Sequence, residues 1–144
     1  MAKRSVTIEI AAPPDAVYGL YTDLGRVREW QAGVKDATAS GPLGERGTRW
    51  RTTYRWPVRV TGEILAVEPG VRHEQRVKEM LGFVTCIMTA RFEATGAGTR
   101  LTVDFDASVP GGPLGRALSS KVGEEMVGTF GKDAARLKAL AEGP

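Results

Sequence analysis

The chain has 144 residues, the length of one domain, and its 42% hydrophobic and 26% charged residues exclude a disordered tail or a fibre. No run approaches the roughly 20 consecutive apolar residues of a membrane span, and the alternating start excludes a secretory signal. A net charge of +3 comes from 20 basic and 17 acidic residues that are interspersed, without the concentrated positive footprint of a nucleic-acid module.

The first predicted element is a strand over Arg4–Ile10, where Val6, Ile8 and Ile10 alternate with Ser5, Thr7 and Glu9. Ala11-Ala12-Pro13-Pro14-Asp15 breaks it, and the prolines suit a helix entrance. A short helix follows with Val17, Leu20, Tyr21 and Leu24 at helical spacing, then a second over Arg26–Trp30. From Gly33 the period becomes two: an edge strand over Val34–Ala39, a Gly-Pro loop over Gly41–Gly47, and a strand over Thr48–Arg55. Pro57 reverses the chain into Val58–Glu68, whose Val58, Val60, Gly62, Ile64 and Ala66 share one register. Strands over Val71–Glu79, Phe83–Glu93 and Thr99–Val109 complete an antiparallel meander joined by short turns. One face is apolar and the other charged, so one face needs a cover. The terminal helix, introduced by Pro113, supplies it with Leu114, Leu118, Val122, Met126, Phe130, Leu137 and Leu140. At about 28 residues it would run roughly 42 Å, enough to cross the sheet diagonally.

The basic residues are densest at Arg46, Arg49, Arg51, Arg55 and Arg59, with Arg49, Arg51 and Arg55 on one strand face. This reads as a solvated face paired with Glu63 and Glu74 rather than a nucleic-acid or anionic-membrane contact. The one cysteine, Cys86, closes no internal disulfide and fits a reducing cytoplasm. With one histidine, His73, an ordinary His/Cys zinc site is excluded, and no cofactor is expected. Motifs for a serine nucleophile, a phosphate loop or a dinucleotide fold are absent from the sequence.

The segment Ile10-Ala11-Ala12-Pro13-Pro14-Asp15-Ala16-Val17-Tyr18, the Glu29-Trp30 end of the second short helix, Gly98-Thr99-Arg100-Leu101 and the long terminal helix together resemble the polyketide cyclase/dehydrase and lipid-transport family. That family belongs to the START-related, birch-pollen-allergen-like superfamily. The likeness runs from about Ser5 to Glu142, and Tyr18 stands where many members have Trp. It implies an α+β helix-grip fold: a curved seven-stranded antiparallel sheet wrapped around the C-terminal helix, in one domain, with an apolar cavity between. Gly115, Gly123, Gly128 and Gly131 lie in that helix, each disfavoured by about 1 kcal/mol relative to Ala. They serve either close packing or cavity room.

If the apolar sheet face lines the cavity, its candidate ligand contacts are Trp50, Thr52, Tyr54, Val60, Ile64, Val84, Cys86, Met88, Val103 and Phe105. Leu118, Val122 and Met126 would join from the long helix, and Tyr21 and Trp30 from the short ones. His73 and Gln75 fall between Val71 and Val77 in one period-two set, so both can point inward and cluster with Tyr54 and Thr52. His73 and Tyr54 are the candidate catalytic pair, His73 as a proton shuttle, against the alternative of a satisfied structural histidine. Cys86 reads as a small buried hydrophobe, and Asp133, inside the apolar arc, as a carboxylate paired with a nearby arginine. The turns at Trp56-Pro57 and Leu81-Gly82 and the loop Pro110–Pro113 share one end of the sheet. Trp56, Leu81 and Phe83 there form either a cavity mouth or a contact surface.

Three functions follow. The first is binding of a small hydrophobic molecule, with neither nucleic acid nor an integral membrane as partner. The second is a cyclase or aromatase-type enzyme using His73, Tyr54 or an inward arginine. The third is an interaction module pairing through the rim, as in a homodimer. A dry wall favours the first, a histidine or arginine beside Tyr54 the second, and a cavity filled by Trp30, Trp50 and Phe105 the third.

Overall fold

The structure is a computed structural model that describes residues 2–54, 59–79 and 83–143. Its strands are β1 (Ala2–Ile10), β2 (Asp36–Ala39), β3 (Arg49–Thr53), β4 (Arg59–Glu68), β5 (Arg72–Glu79), β6 (Val84–Thr95) and β7 (Gly98–Ser108). Between β1 and β2 lie helix α1 (Pro14–Tyr21), a 3-10 turn (Leu24–Arg26) and the single-turn helix α2 (Val27–Trp30), and helix α3 (Gly112–Glu142) closes the chain. All neighbouring strands are antiparallel, in the order β1-β7-β6-β5-β4-β3-β2. β1 and β2 are therefore the two edges of a curved sheet. The chain between Ile10 and Asp36 has to cross the full width of that sheet, and the two short helices carry it across.

Three of the segments that carried the family resemblance meet at one corner: residues 10–12, Gly98-Thr99 and the end of α3. Gly98 has φ +149°, and a Cβ there would fall 2.2 Å from the Ile10 carbonyl oxygen, so only glycine fits. One residue on, the buried Thr99 hydroxyl donates to the Ala12 carbonyl at 2.6 Å. The end of α3 is tied to the same corner. Lys138 Nζ donates to the Glu9 carbonyl at 2.9 Å, and Ala11 N–H to Glu142 at 2.8 Å.

α3 packs on β1 and β7, and the core beneath it includes Leu101, Val103, Phe105, Phe130, Ala134 and Leu137. Burying a Leu or Phe side chain stabilises by roughly 1.5–3 kcal/mol, so this seam anchors the helix. Leu114 and Leu118 are not in it, being 70% and 40% exposed. Four residues turn a helix by about 400°, so a row spaced by four drifts about 40° per step. The row of apolar residues therefore turns from solvent at Leu114 and Leu118, through the partly buried Val122 and Met126, to the buried Phe130. At the near end the inward residues are Gly115, Ser119 and Gly123. There the backbones meet: a Cβ on Gly115 would sit 2.5 Å from the Val109 carbonyl oxygen. Ser119 Oγ accepts from Val109 N–H at 2.8 Å and donates to the Gly115 carbonyl at 2.7 Å. Gly128 and Gly131 meet nothing within 4 Å and serve no close contact.

Other expectations shift. A bulge between Ile64 and Ala66 moves β4 out of a single register, so Ala66 opposes Glu74 and Val67 opposes His73. Val71 precedes β5 and is 52% exposed in the turn. On the outer face Glu63 pairs with Arg76 at 3.7 Å and Glu74 with Arg72 at 2.8 Å, both arginines from β5. Arg49 and Arg51 make no ion pair among the described residues. Both Arg49 and Arg76 directly oppose Glu63 from the strands on either side of β4, and the carboxylate pairs with Arg76. Trp56 and Leu81 of the expected rim lie outside the described residues, and Phe83 is half exposed.

Candidate functional site

Because α3 rests on the β1/β7 half of the sheet, the half formed by β3, β4 and β5 is left partly uncovered beneath it. A cavity of about 400 Å³ lies there, walled by β3–β5, α2 and the middle of α3. Its exposed wall residues, Arg59, Glu125 and Thr129, mark where it reaches solvent.

Of the sequence-predicted contacts, Trp30, Trp50, Thr52, Tyr54, His73, Gln75, Met88, Phe105, Val122 and Met126 all line this cavity. Cys86, Val103 and Leu118 do not. Cys86 and Val103 have no exposed surface and are sealed in the core cluster under α3. Leu118 points to solvent for the helical-drift reason above. Ile64, also expected on the wall, is packed behind it at 1% exposure. Burial in the same seam pushes the Cys86 thiol up to about 12, so it is neutral and inert.

One end of the cavity is built on aromatic packing. Trp30 stacks on Tyr21 with ring centroids 5.8 Å apart, and Tyr21 meets His73 edge-on at 5.4 Å. Trp50 lies flat over Gly62 on the next strand, where a Cβ would fall 2.3 Å from its ring. From there its indole N–H donates to Gln75 Oε1 at 2.9 Å. Burial pushes the Tyr21 phenol well above its ordinary range, with the Gln75 amide opposing, so Tyr21 stays protonated.

His73 is 2% exposed, and its Nε2 lies 2.8 Å from the Leu43 carbonyl oxygen. A carbonyl can only accept, so Nε2 carries the proton. The neutral ring then has its lone pair on Nδ1, which is buried without a partner among the described residues. Burial holds the ring's pKa below the usual histidine value, the Leu43 hydrogen bond pulling the other way. The loop holding Leu43 gave no periodic signal in the sequence; it is pinned by Thr48 Oγ1 donating to the Pro42 carbonyl at 2.7 Å.

The other end is acidic. Glu79 is the next inward position of β5 after Val77, and it lines the cavity with Asp133 and Glu125 of α3. Asp133 Oδ1 accepts from Arg136 at 3.0 Å and from Ala32 N–H at 3.3 Å. Burial raises the carboxyl pKa of both Glu79 and Asp133, in Asp133 against the pull of Ala32 and Arg136. Tyr54 is raised too, chiefly by burial, against the pull of the neighbouring Thr52 hydroxyl and with smaller contributions from the negative charges of Asp133 and Glu79. The Thr52 hydroxyl is itself buried and makes no hydrogen bond of good geometry among the described residues. Glu79 escaped the sequence analysis although it continues the same period-two set as His73 and Gln75. Glu125 and Arg59 carried no such signal.

No group of three or more His, Cys, Asp and Glu side chains among the described residues is placed to hold a metal ion. No helix among them is long and apolar enough to cross a membrane.

A family model described as polyketide cyclase / dehydrase and lipid transport matches residues 1–142. No curated protein matches the chain in sequence. Among solved structures, protein CV1439 from Chromobacterium violaceum superposes with a TM-score of 0.76 at 16% identity, covering 100% of both chains. DynU16, from the dynemicin biosynthetic locus, gives 0.72 at 24% identity over 96% of this chain and 46% of its own. Ara h 8.0201 gives 0.72 at 14% identity over 94% of this chain and 96% of its own. At these identities the likeness is one of fold.

Proposed function

Because the chain belongs to the polyketide cyclase/dehydrase and lipid-transport family, we propose that it binds a small hydrophobic molecule, lipid-like or aromatic, in the cavity between sheet and α3. The observation that carries this is the void of about 400 Å³ itself, which falls within the roughly 300–1,000 Å³ of small-molecule sites. Trp30, Trp50 and Phe105 line it rather than fill it, which favours ligand binding over the interaction module. Three tryptophans, two of them in the wall, give a direct readout. Titration with the neutral probe N-phenyl-1-naphthylamine is expected to give saturable binding with Kd of about 1–100 μM, about −8 to −5.5 kcal/mol. If neither this probe nor a long-chain alcohol binds saturably, the ligand reading is rejected.

A second reading, a cyclase- or dehydrase-type enzyme, is favoured by the protonated Tyr54 hydroxyl beside the carboxyls of Glu79 and Asp133. Such a hydroxyl can polarise a ligand carbonyl while a carboxylate takes a proton. His73 is poorly placed for the same work, since its protonated nitrogen is held by Leu43 and its free nitrogen is buried. On any substrate found, Tyr54→Phe should slow turnover at least tenfold and His73→Gln should not. The reverse ranking would restore His73 as the shuttle.

A further inference from the structure

The protein carries a net charge of +3, yet its cavity wall holds the carboxyls of Glu79, Glu125 and Asp133 against one guanidinium, Arg59 at the opening, with Arg136 paired to Asp133 from outside the wall. Where such a carboxylate faces the apolar side chains Trp30, Val60, Met88 and Phe105 of the wall this is costly, because it loses its water. Asp133 is 8% exposed, and both of its hydrogen bonds go to Oδ1. Oδ2 makes none among the described residues, and Glu79 makes no hydrogen bond or ion pair among them. The Thr52 hydroxyl, 4% exposed, is likewise unpartnered. Free carboxylate oxygens can only accept, and a hydroxyl can also accept. At this end of the cavity the missing partner is therefore a donor, whereas the buried, unpartnered Trp30 Nε1 in the same wall can only donate; a cationic donor offsets carboxylate desolvation better than a neutral one. A hard metal ion would want six or more oxygens, which this wall lacks among its described residues.

We propose that the cavity takes a hydrophobic amine, an apolar and preferably aromatic body with a protonated nitrogen lodged between Glu79 and Asp133 and within reach of Thr52. The tryptophan-lined end holds the apolar body and the acidic end the ammonium. This rests on the cavity-binding reading above and specifies its ligand class.

The test is calorimetric titration of the whole chain with two probes of one shape, 1-naphthylmethylamine, cationic at pH 7, and 1-naphthalenemethanol, neutral. The amine is expected to bind at least about tenfold tighter, the difference between a charge-assisted and a neutral hydrogen bond. In Glu79→Gln and in Asp133→Asn the ratio should fall toward unity, while the thermal midpoint of Glu79→Gln holds or rises and so shows that the fold survives. Equal affinities, or an alcohol that binds better, overturn the amine assignment and leave the cavity reading standing. Failure of both probes, together with N-phenyl-1-naphthylamine and the long-chain alcohol, overturns both.

Discussion

Single side chains decide the chemistry of this cavity. His73 shows how burial converts into a pH effect. Its native pKa lies below the unfolded value of about 6.5, so the unfolded chain binds the proton more readily. The stability this neutral, buried ring supports is full above about pH 6.5 and is lost as pH falls from there through the native pKa. His73→Gln keeps a donor for the Leu43 carbonyl and removes the titration. Urea midpoints of the two proteins between pH 8 and pH 5 should show the wild type losing stability relative to the variant on the acid side. A difference that stays constant with pH would mean that the ring titrates alike folded and unfolded. Glu79 has the opposite sign: its raised pKa means its ionisation opposes folding near neutrality, which is why its amide variant should not destabilise.

At the scale of elements, α3 is held by small residues where hydrophobic ones were expected. Ser119 satisfies the buried N–H of Val109, so Ser119→Ala should cost about 1–3 kcal/mol by stranding that donor. Leu118→Glu, one position earlier, should change stability by no more than about 0.5 kcal/mol because the side chain meets solvent. Denaturant midpoints of the pair check the helix phase directly. If Leu118→Glu unfolds the protein and Ser119→Ala does not, the helix is rotated by about 100° from the description above. The helix period was legible in the sequence, but its phase was not. Leucine looks like core by type, whereas Gly115 and Ser119 are inward because the β7 end and the helix start approach too closely for anything larger.

The whole molecule is a sheet gripped at one side only. α3 lies on β1 and β7, and the space it leaves over β3–β5 is a consequence of that off-centre seat. A larger side chain on the wall should fill it. Met88→Trp is expected to weaken binding of N-phenyl-1-naphthylamine more than tenfold while leaving the thermal midpoint equal to or above wild type, since added apolar volume enters a void. A midpoint lowered by several degrees with binding intact would show that Met88 packs in solid core. Ligand linkage gives the converse: a probe at 100 times its Kd should stabilise the fold by about 2.7 kcal/mol.

Periodicity and turn chemistry were enough to read seven strands, two short helices and a long final helix from the residues alone, because alternation and capping are local properties of the chain. The same alternation placed Trp50, Thr52, Tyr54, His73 and Gln75 on one face, and it extends to Glu79. Which part of that face is sealed and which is open was decided in three dimensions. Cys86 and Val103 have the same inward pattern as Met88 and Phe105, but they lie where the helix sits down. The acidic end of the cavity, likewise, exists only because β5 and α3, far apart along the chain, bring Glu79 and Asp133 to one space. No local pattern encodes a distance between elements that meet only after folding.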